Sequence, residues 1–352
     1  MSEDGIITSK KGNTIDYLKS SPSLYLDKTI ALYGDSNTGK SVFIRMILKS
    51  LKDHVPYGIV FNGTENGGEG SYANLFPKSH VYNYVDIDVL SNIKEHQAAR
   101  TTIFNEANKF DTLERLYSKI RNYRSDEKIN KFKSLTKKAR RKIKDRHKLK
   151  EFDKNTKDKL KKQYKFFIRK NYKKIRYNRL QKDEKYAIKY INLNPHVLVI
   201  FDDVGDTFNA LYKKNKELIG QMFTRDRHSH ITYVFAFQFQ DQLHADLRKN
   251  VAMSIFTTET TLNEFVRKES NNLKQTQKYI FDVAPLVYNK PGFYRIVRLR
   301  LEGKYKYIKS VNFDEEDCKF CDKEFYKYYR RIKKKNEDII DQNNKFYSMF
   351  NV

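Results

Sequence analysis

A glycine-rich stretch near the amino terminus constrains the fold more than any other feature of the chain. Residues 34–41 read GDSNTGKS and match the phosphate-binding pattern G-x-x-x-x-G-K-[ST] at every fixed position. The apolar run at 28–33 (KTIALY) indicates a buried strand, and the amphipathic segment 41–51 indicates a helix. A strand, this loop and a helix in succession predict a P-loop α/β fold with a mainly parallel central sheet flanked by helices.

The pattern assigns a phosphate-binding role to the loop. We expect its backbone N–H groups and the following helix N-terminus to hold the phosphates of a nucleoside triphosphate. Lys40 can reach the β- and γ-phosphates, and the Ser41 hydroxyl can hold Mg²⁺. The predicted nucleotide-binding residues are Gly34, Asp35, Ser36, Asn37, Thr38, Gly39, Lys40 and Ser41.

Two carboxylates follow an apolar run far downstream of the loop. The segment 196–204 (HVLVIFDDV) has five apolar residues and then Asp202 and Asp203, as expected of a buried parallel strand. We expect Asp202 to lie near the Mg²⁺ and Asp203 to orient or deprotonate the attacking water. An ordinary turn after a strand would have the same pattern, so this interpretation depends on the pairing with the loop.

A third apolar run, 231–239 (ITYVFAFQF), places Gln238 at the carboxyl end of a strand, where open α/β sheets bind their ligands. This position suits a sensor of the γ-phosphate. Arg225 and Arg227 precede the strand, and an arginine there could reach the γ-phosphate of a neighbouring subunit. The simpler alternatives are an amide that closes a strand end and two surface arginines.

Four stretches together resemble the genome-packaging ATPases of large double-stranded DNA viruses, the poxvirus-type branch of the HerA/FtsK superfamily of P-loop DNA translocases. They are GDSNTGKS at 34–41, VLVIFDDV at 197–204, MFTRDRHSHITYVFAFQ at 222–238 and DLRKN at 246–250. The resemblance implies an ASCE-type ATPase that forms a homo-oligomeric ring, a pentamer or a hexamer, and pumps double-stranded DNA. It also implies that Arg227 or Arg225 is the arginine finger and that Gln238 is the sensor.

The resemblance further implies ATP and Mg²⁺ as cofactors, and capsid or portal proteins and a nuclease as partners. It implies the host cytoplasm (viral factory) or the virion as the location. The chain has two cysteines in 352 residues and no run of 18 apolar residues. We therefore expect a soluble protein in a reducing compartment, without a membrane span.

A strongly basic segment at 124–189 interrupts the resemblance. It holds 28 Lys and Arg against 8 Asp and Glu, and therefore +20 of the formal net charge of +27. It lacks Gly and Pro, and its apolar residues recur at mostly helical intervals, at Ile129, Phe132, Leu135, Ala139 and Ile143 and then at Leu160, Tyr164, Phe167 and Ile175. We predict a helical hairpin with a turn at 152–158 that binds nucleic acid without sequence preference. A solvated charged segment is the alternative.

The predicted domain organisation follows from these features. It comprises an N-terminal segment at 1–27, a P-loop ATPase core at 28–123 and 191–290, the inserted basic hairpin at 124–190, and a C-terminal β-hairpin and basic helix at 291–352. Alternating residues at 293–301 and 304–311 predict the β-hairpin, and Arg295, Arg298 and Arg300 give it a second basic face. We also expect one helix from about Asp88 to Tyr123.

Three other functions stay open at this stage. A HerA/FtsK-like helicase or segregation translocase would share the same ATPase residues, and a nucleic-acid-binding P-loop protein with little turnover would share most of them. A small-molecule kinase or GTPase could share the loop, and D-D-V-G at 202–205 matches the GTPase pattern D-x-x-G. Asn289 and Lys290 are followed by Pro-Gly, so no aspartate completes a guanine contact and GTP specificity is unsupported.

Overall fold

The computed structural model describes residues 5–63, 72–126, 154–269 and 279–321. The chain divides into two compact units, one made of Met1–Gln97 with Pro195–Val352 and one made of Ala98–Asn194. The predicted first helix of the basic hairpin, from Ile129 to Ile143, lies outside the described residues. The predicted C-terminal basic helix lies outside them as well.

Ten strands among the described residues of the larger unit form one mixed sheet. They are β1 (Ile7–Thr8), β2 (Thr14–Tyr17), β3 (Thr29–Tyr33), β4 (Gly58–Asn62), β5 (Val81–Tyr82), β6 (Val197–Asp202), β7 (Ile231–Phe237), β8 (Met253–Phe256), β9 (Tyr294–Leu299) and β10 (Lys304–Lys309). Their order across the sheet is β1-β2-β10-β9-β8-β3-β7-β6-β4-β5. All neighbours from β8 to β5 are parallel.

Helices of the larger unit cover both faces of this sheet. The described α-helices are α1 (Pro22–Tyr25), α2 (Lys40–Leu51), α3 (Ile87–Ala107), α4 (Phe110–Asp126), α5 (Lys154–Asn171), α6 (Lys182–Tyr190), α7 (Gly205–Lys214), α8 (Lys216–Thr224), α9 (Ala245–Arg248), α10 (Glu259–Glu269), α11 (Ile280–Tyr288) and α12 (Glu315–Cys318). Short 3₁₀ turns occur at Lys78–His80, Tyr172–Lys174, Tyr177–Arg179, Asp226–Ser229 and Gln240–Gln242. None of the described helices is both long enough and apolar enough to cross a membrane.

The central strands are buried on both faces because their apolar residues are continuous rather than alternating. Every residue of β3 and β7 is buried. Alternate side chains of β3 enter two separate clusters: Tyr33 packs with Phe256 and Phe265 in one, and Leu32 belongs with Phe43 to the other. Parallel sheets are covered on both faces in this way. The predicted α/β class with a mainly parallel sheet flanked by helices is therefore confirmed.

The alternating segments at 293–311 form the antiparallel pair β9 and β10, with Ile296 opposite Tyr307. Strand β9 also pairs with β8 in the antiparallel sense, so the pair extends the sheet that carries the phosphate loop. Strand β2 is added in parallel beside β10, and β1 is antiparallel to β2. Because β9 runs opposite to β8, its first residues lie at the end of the sheet where β3 and β8 finish.

The smaller unit has its own apolar cluster among α4, α5 and α6. The cluster contains Leu113, Leu116, Ile120, Tyr164, Ile168, Leu180, Ala187 and Ile191. Glu184 is 0% exposed, and its carboxylate is paired with the Lys119 ammonium at 2.7 Å. Helix α5 begins at Lys154, inside the segment predicted as a turn.

The prediction of one helix from about Asp88 to Tyr123 is wrong, because α3 ends at Ala107 and α4 begins at Phe110. Asn108 explains the break. Its side-chain amide donates to the carbonyl of Phe104 at 2.6 Å, and its backbone N–H donates to the same carbonyl at 3.1 Å. Asparagine favours helix ends because its side chain competes for backbone groups in this way.

Candidate nucleotide-binding site

The predicted phosphate-binding loop connects the carboxyl end of β3 to the amino end of α2. Gly39 is the N-cap residue of α2 and has φ of +95°, and Asn37 has φ of +62°. The first four N–H groups of a helix have no acceptor within the helix, and together with the helix dipole they favour an anion. The strand, loop and helix therefore have the arrangement that holds phosphate groups.

Two loop glycines are required for different reasons. A Cβ atom on Gly34 would lie 1.7 Å from the Oγ1 of Thr257, whose hydroxyl is 2.6 Å from the Thr38 hydroxyl. A Cβ atom on Gly39 would lie 2.7 Å from a guanidinium nitrogen of Arg295, at a backbone angle that already favours glycine. Thr257 follows β8 and Arg295 is the second residue of β9, so residues of the neighbouring strands enclose the loop closely.

Lys40 lies within the loop. Its ammonium donates hydrogen bonds to the carbonyl of Gly34 at 2.5 Å and to the carbonyl of Asp35 at 3.0 Å. Burial lowers the pKa of Lys40, and the charges of Asp202 and Asp203 partly offset that effect. The ammonium and both predicted acids thus belong to one electrostatic site.

Asp202 is the last residue of β6, after five buried residues. One of its carboxylate oxygens accepts a hydrogen bond from the Tyr72 hydroxyl at 2.9 Å. Tyr72 is 2% exposed, so this bond fixes the carboxylate from a buried side chain. Ser41 lies in the first turn of α2 at the same end of the sheet. Hydroxyl and carboxylate oxygens are the ligands that Mg²⁺ prefers, so this set of donors fits Mg²⁺.

Asp203 and Gln238, which were predicted from separate parts of the sequence, are in contact. The Gln238 amide donates to an Asp203 carboxylate oxygen at 3.3 Å. Asp203 has φ of +54°, a left-handed conformation that aspartate tolerates better than most residues. Gln238 is held through its backbone N–H, which donates to the side chain of Gln242 at 2.8 Å. The two side chains form one polar pair beyond the ends of β6 and β7.

Arg295 is a site residue that sequence reasoning missed. The sequence assigned it to a second basic face with Arg298 and Arg300, whereas in the structure Arg295 is buried, at 8% exposed. Its guanidinium donates to the carbonyl of Thr38 at 2.9 Å and to that of Tyr294 at 3.0 Å. Burial lowers its pKa. An arginine keeps its charge in proteins, so this side chain places a buried cation against the phosphate loop.

The two candidate finger residues lie at the other end of the sheet. Arg225 follows α8 and Arg227 lies in the turn before β7, whereas Gln238 comes directly after that strand. Strand β7 has seven residues, so at about 3.3 Å per residue it separates its two ends by roughly 23 Å. Both arginines are exposed. The fold therefore does not bring either arginine to the phosphate loop of the same chain.

A buried polar network fixes the segment between these arginines. Asp226 is 5% exposed, and its carboxylate accepts a hydrogen bond from the Tyr233 hydroxyl at 2.8 Å. The Lys94 ammonium lies 3.5 Å from the same carboxylate and donates to the side chain of Gln221 at 2.9 Å. Burial lowers the pKa of Lys94, and Asp226 opposes that effect. The network anchors the turn and leaves both arginine side chains pointing outward.

Comparison with known proteins gives relatives along the whole chain. No protein-family model matches the sequence. The uncharacterized protein B354L of African swine fever virus (isolate Pig/Kenya/KEN-50/1950) is 27% identical over an alignment of 367 positions, gaps included, that covers 98% of each chain. The same protein from isolate Tick/Malawi/Lil 20-1/1983 is 26% identical over 365 positions, with the same coverage.

Two solved structures illustrate the structural similarity. The genome packaging NTPase B204 from Sulfolobus turreted icosahedral virus 2, in complex with AMPPCP, is 14% identical with a TM-score of 0.39, over 81% of this chain and 98% of that one. The pCW3 conjugation coupling protein TcpA with ATPγS is 12% identical with a TM-score of 0.43, over 90% and 68%. Because both identities and both TM-scores are low, the candidate site is described from the geometry of this chain's own residues alone.

Proposed function

We propose that the chain is an ATPase that couples ATP hydrolysis to movement along double-stranded DNA, and that its task is to package a viral genome. The observation that carries the proposal is the arrangement at the carboxyl end of the sheet. There the phosphate loop, Asp202 and the Asp203–Gln238 pair come from three adjacent strands. A phosphate cradle, a metal-binding carboxylate and a carboxylate that acts on water are the groups that phosphoryl transfer to water requires.

Each group has its own task in this proposal. The loop N–H groups and Lys40 bind and orient the β- and γ-phosphates. Ser41 and Asp202 would hold Mg²⁺, which would supply positive charge against the phosphates. Asp203 accepts the proton of the water that attacks the γ-phosphorus, and the bond to the departing ADP oxygen breaks. Gln238 donates to the Asp203 carboxylate, and its task in this proposal is to sense the γ-phosphate.

The exposed arginines at the amino end of the sheet support a ring. Arg225 and Arg227 belong to a well-anchored turn and lie far from their own phosphate loop. Such residues can complete a site only in a neighbouring subunit, through a head-to-tail interface. We therefore propose a homo-oligomeric ring, a pentamer or a hexamer, in which one of the two arginines acts on the neighbour's γ-phosphate.

The basic segment supports DNA as the molecule along which the ATPase moves. Its described part, which belongs to the smaller unit, exposes many cationic side chains: Lys154, Lys159, Lys162, Arg169, Lys170, Lys173, Lys174, Arg176 and Arg179. Burial lowers the pKa of Lys165, and the charges of Arg169 and Lys161 lower it further. Closely spaced Lys and Arg side chains neutralise the backbone phosphates of DNA. The resulting DNA binding is independent of sequence and weakened by salt.

Packaging is preferred over the other uses of such a motor because the full-length relatives are viral proteins. A helicase or a segregation translocase of the same superfamily would use the same ATPase residues. Capsid or portal proteins and a nuclease are the partners that the packaging role requires. The choice between packaging and these alternatives therefore concerns the biological role of the ATPase and not its catalytic residues.

Displacement of a third strand tests movement along DNA directly. A duplex carries a labelled triplex-forming oligonucleotide at one end, and a moving ATPase strips the oligonucleotide in the presence of ATP. We expect displacement with ATP and none with a non-hydrolysable analogue. A Lys213→Gln/Lys214→Gln/Lys216→Gln variant serves as a control and should displace the oligonucleotide as the wild type does. These three lysines are exposed in the larger unit, outside the basic segment. Hydrolysis without displacement would contradict the proposed translocation.

A further inference from the structure

Three neighbouring strands carry a second polar cluster at their amino ends. Asp27 lies two residues before β3, and His196 and His230 directly precede β6 and β7. The Nδ1 atom of His196 is 2.9 Å from one carboxylate oxygen of Asp27, and the Nδ1 atom of His230 is 3.2 Å from the other. The two imidazole rings meet edge to face, with centroids 4.7 Å apart. One donor atom from each residue lies within 4.8 Å of the others.

We propose that Asp27, His196 and His230 bind a divalent transition-metal ion, with Zn²⁺ the best match. The set offers two imidazole nitrogens and a carboxylate oxygen, which suits zinc better than Mg²⁺ or Ca²⁺, ions that take oxygen ligands. Bonds of about 2.0–2.1 Å in a tetrahedron separate neighbouring donors by roughly 3.3 Å. The separations of 2.9 and 3.2 Å join the two Nδ1 atoms to different oxygens of the Asp27 carboxylate, so each imidazole lies within a few tenths of an ångström of that value from its own carboxylate oxygen.

The state of the three side chains is suited to an incoming ion. The Asp27 carboxylate lies within hydrogen-bond distance of an Nδ1 atom of both imidazoles. An aspartate carboxylate is an anion at neutral pH. The side chains of Asp27, His196 and His230 are 29%, 23% and 24% exposed, so an ion and a water ligand can reach them. On binding, the proton shared at each Nδ1 moves to Nε2 or to solvent.

The backbone singles out the same place. The described residues include five non-glycine residues with positive φ, and Asp27 and His230 are two of them, at +58° and +59°. Two more, Asn37 and Asp203, belong to the nucleotide site. Left-handed residues of this kind concentrate at functional sites. The backbone N–H of Asp27 also donates to the Thr232 hydroxyl at 2.9 Å, which holds its carboxylate near β7.

A bound ion would join the amino ends of the three strands whose carboxyl ends form the nucleotide site. It would also fix His230, the residue directly after the Asp226–Ser229 turn that contains Arg227. The metal site depends on Asp27, His196 and His230 alone, so it can be tested independently of the proposed ATPase activity.

Cobalt binding without nucleotide tests the site. The full chain is freed of metal with a chelator and titrated with Co²⁺, whose visible absorption is intense when the ion is four-coordinate. We expect a single four-coordinate Co²⁺ per chain, displaced by Zn²⁺, and loss of the signal in His196→Gln and in His230→Gln. His228→Gln is the matched control, because His228 lies exposed in the same turn and is not a member of the cluster. It should bind as the wild type does.

A second measurement keeps the test valid where a variant folds poorly. At a hundredfold excess of Zn²⁺ over its dissociation constant, the wild type should gain about 3 °C in melting temperature. His228→Gln should gain as much, and His196→Gln nothing. Equal cobalt spectra in His196→Gln and the wild type, or an octahedral spectrum with no rise in melting temperature, would identify an adventitious ion only and overturn the site.

Discussion

The two ends of the central sheet carry different chemistry on the same three strands. At the carboxyl ends of β3, β6 and β7 lie the phosphate loop, Asp202 and Gln238. At the amino ends lie the Asp27–His196–His230 cluster and the anchored turn with its exposed arginines. The first end offers groups that bind phosphate and act on water, and the second offers metal ligands and cations that point away from the chain.

The difference follows from strand direction. Parallel strands finish at one end of a sheet, so groups that follow them meet there and can serve one ligand. The same geometry keeps residues that precede the strands away from that ligand. In the proposed mechanism, the carboxyl end of one chain supplies the phosphate loop and both carboxylates, and a second copy supplies an arginine from its amino end.

The largest effect is expected at the amino end. Arg227→Ala should lower ATP turnover on the order of a thousandfold or more, as loss of an arginine finger does. Mixing it with Asp203→Asn subunits should restore part of the activity, because about a quarter of the interfaces in a random ring combine an intact site with an intact arginine. Turnover of the equimolar mixture is the measurement.

The same mixing with Arg225→Ala identifies which arginine acts. Only one of the two variants should lose turnover and be rescued. Rescue of neither, with activity lost in both, would show that these arginines act within their own subunit and would remove the contrast between the two ends.

At the carboxyl end, Asp203→Asn should lower the turnover rate by about a thousandfold, because an amide cannot take the proton of the attacking water. ATP binding should be retained, since the loop and Lys40 are unchanged. Comparing the turnover rate with the equilibrium affinity for ATP separates the two effects. Asp206→Asn, an exposed change three residues along the chain, should alter neither. Undiminished turnover in Asp203→Asn would remove Asp203 from the mechanism.

A smaller effect is expected from the buried cation beside the loop. Arg295→Met should weaken ATP binding by about tenfold, the effect of losing a charge-assisted contact. The loss of affinity should be largest for ATP, smaller for ADP and smallest for AMP, because the missing positive charge acts on the phosphates. Arg298→Met is the control, since the Arg298 guanidinium instead packs 5.6 Å from the ring centre of Phe265. An equal loss for all three nucleotides would make Arg295 only structural.

The smallest effect concerns the pH dependence of folding. The pKa of Asp27 is about 2 in the folded chain against 3.8 for the free side chain. The contribution of the ionised Asp27 carboxylate to the free energy of unfolding is therefore fully present above pH 3.8 and is lost as the pH falls towards 2. In chelator-treated protein, Asp27→Asn should lower the free energy of unfolding by roughly 1 kcal/mol at pH 7, given the exposure of the group. The difference from wild type should shrink between pH 4 and pH 2.

Denaturant unfolding at several pH values measures this difference. Asp53→Asn, an exposed change just after α2, should show no such dependence. A difference between Asp27→Asn and wild type that is constant from pH 7 to pH 2 would contradict the role of the carboxylate charge.

The sequence could predict those parts of the molecule whose signals are local. Lys40, Asp202 and Gln238 were found because the loop pattern and the apolar runs before the other two are contiguous in sequence. The mainly parallel sheet follows from the same runs. Strands β4 (GIVFN) and β8 (MSIF) were not singled out, because their apolar residues are too few to distinguish a strand from a buried helix.

The residues that support the site could not be predicted, because their partners are distant in sequence. Tyr72 bonds to Asp202 across 130 positions, Thr257 to Thr38 across 219 and Arg295 to Thr38 across 257. None of these belongs to a motif, and Arg295 looks like its neighbours Arg298 and Arg300 in the sequence. Only the pairing of β9 with β8 brings Arg295 to the loop.

The steady-state rate of ATP hydrolysis with and without double-stranded DNA, at low and at moderate salt, tests the central claim most directly. A rate stimulated by DNA, with stimulation that fades as salt rises and is absent in Asp203→Asn, is the predicted result. A rate indifferent to DNA at both salt concentrations would contradict the account, and would leave a P-loop enzyme whose basic segment is only a solvated surface.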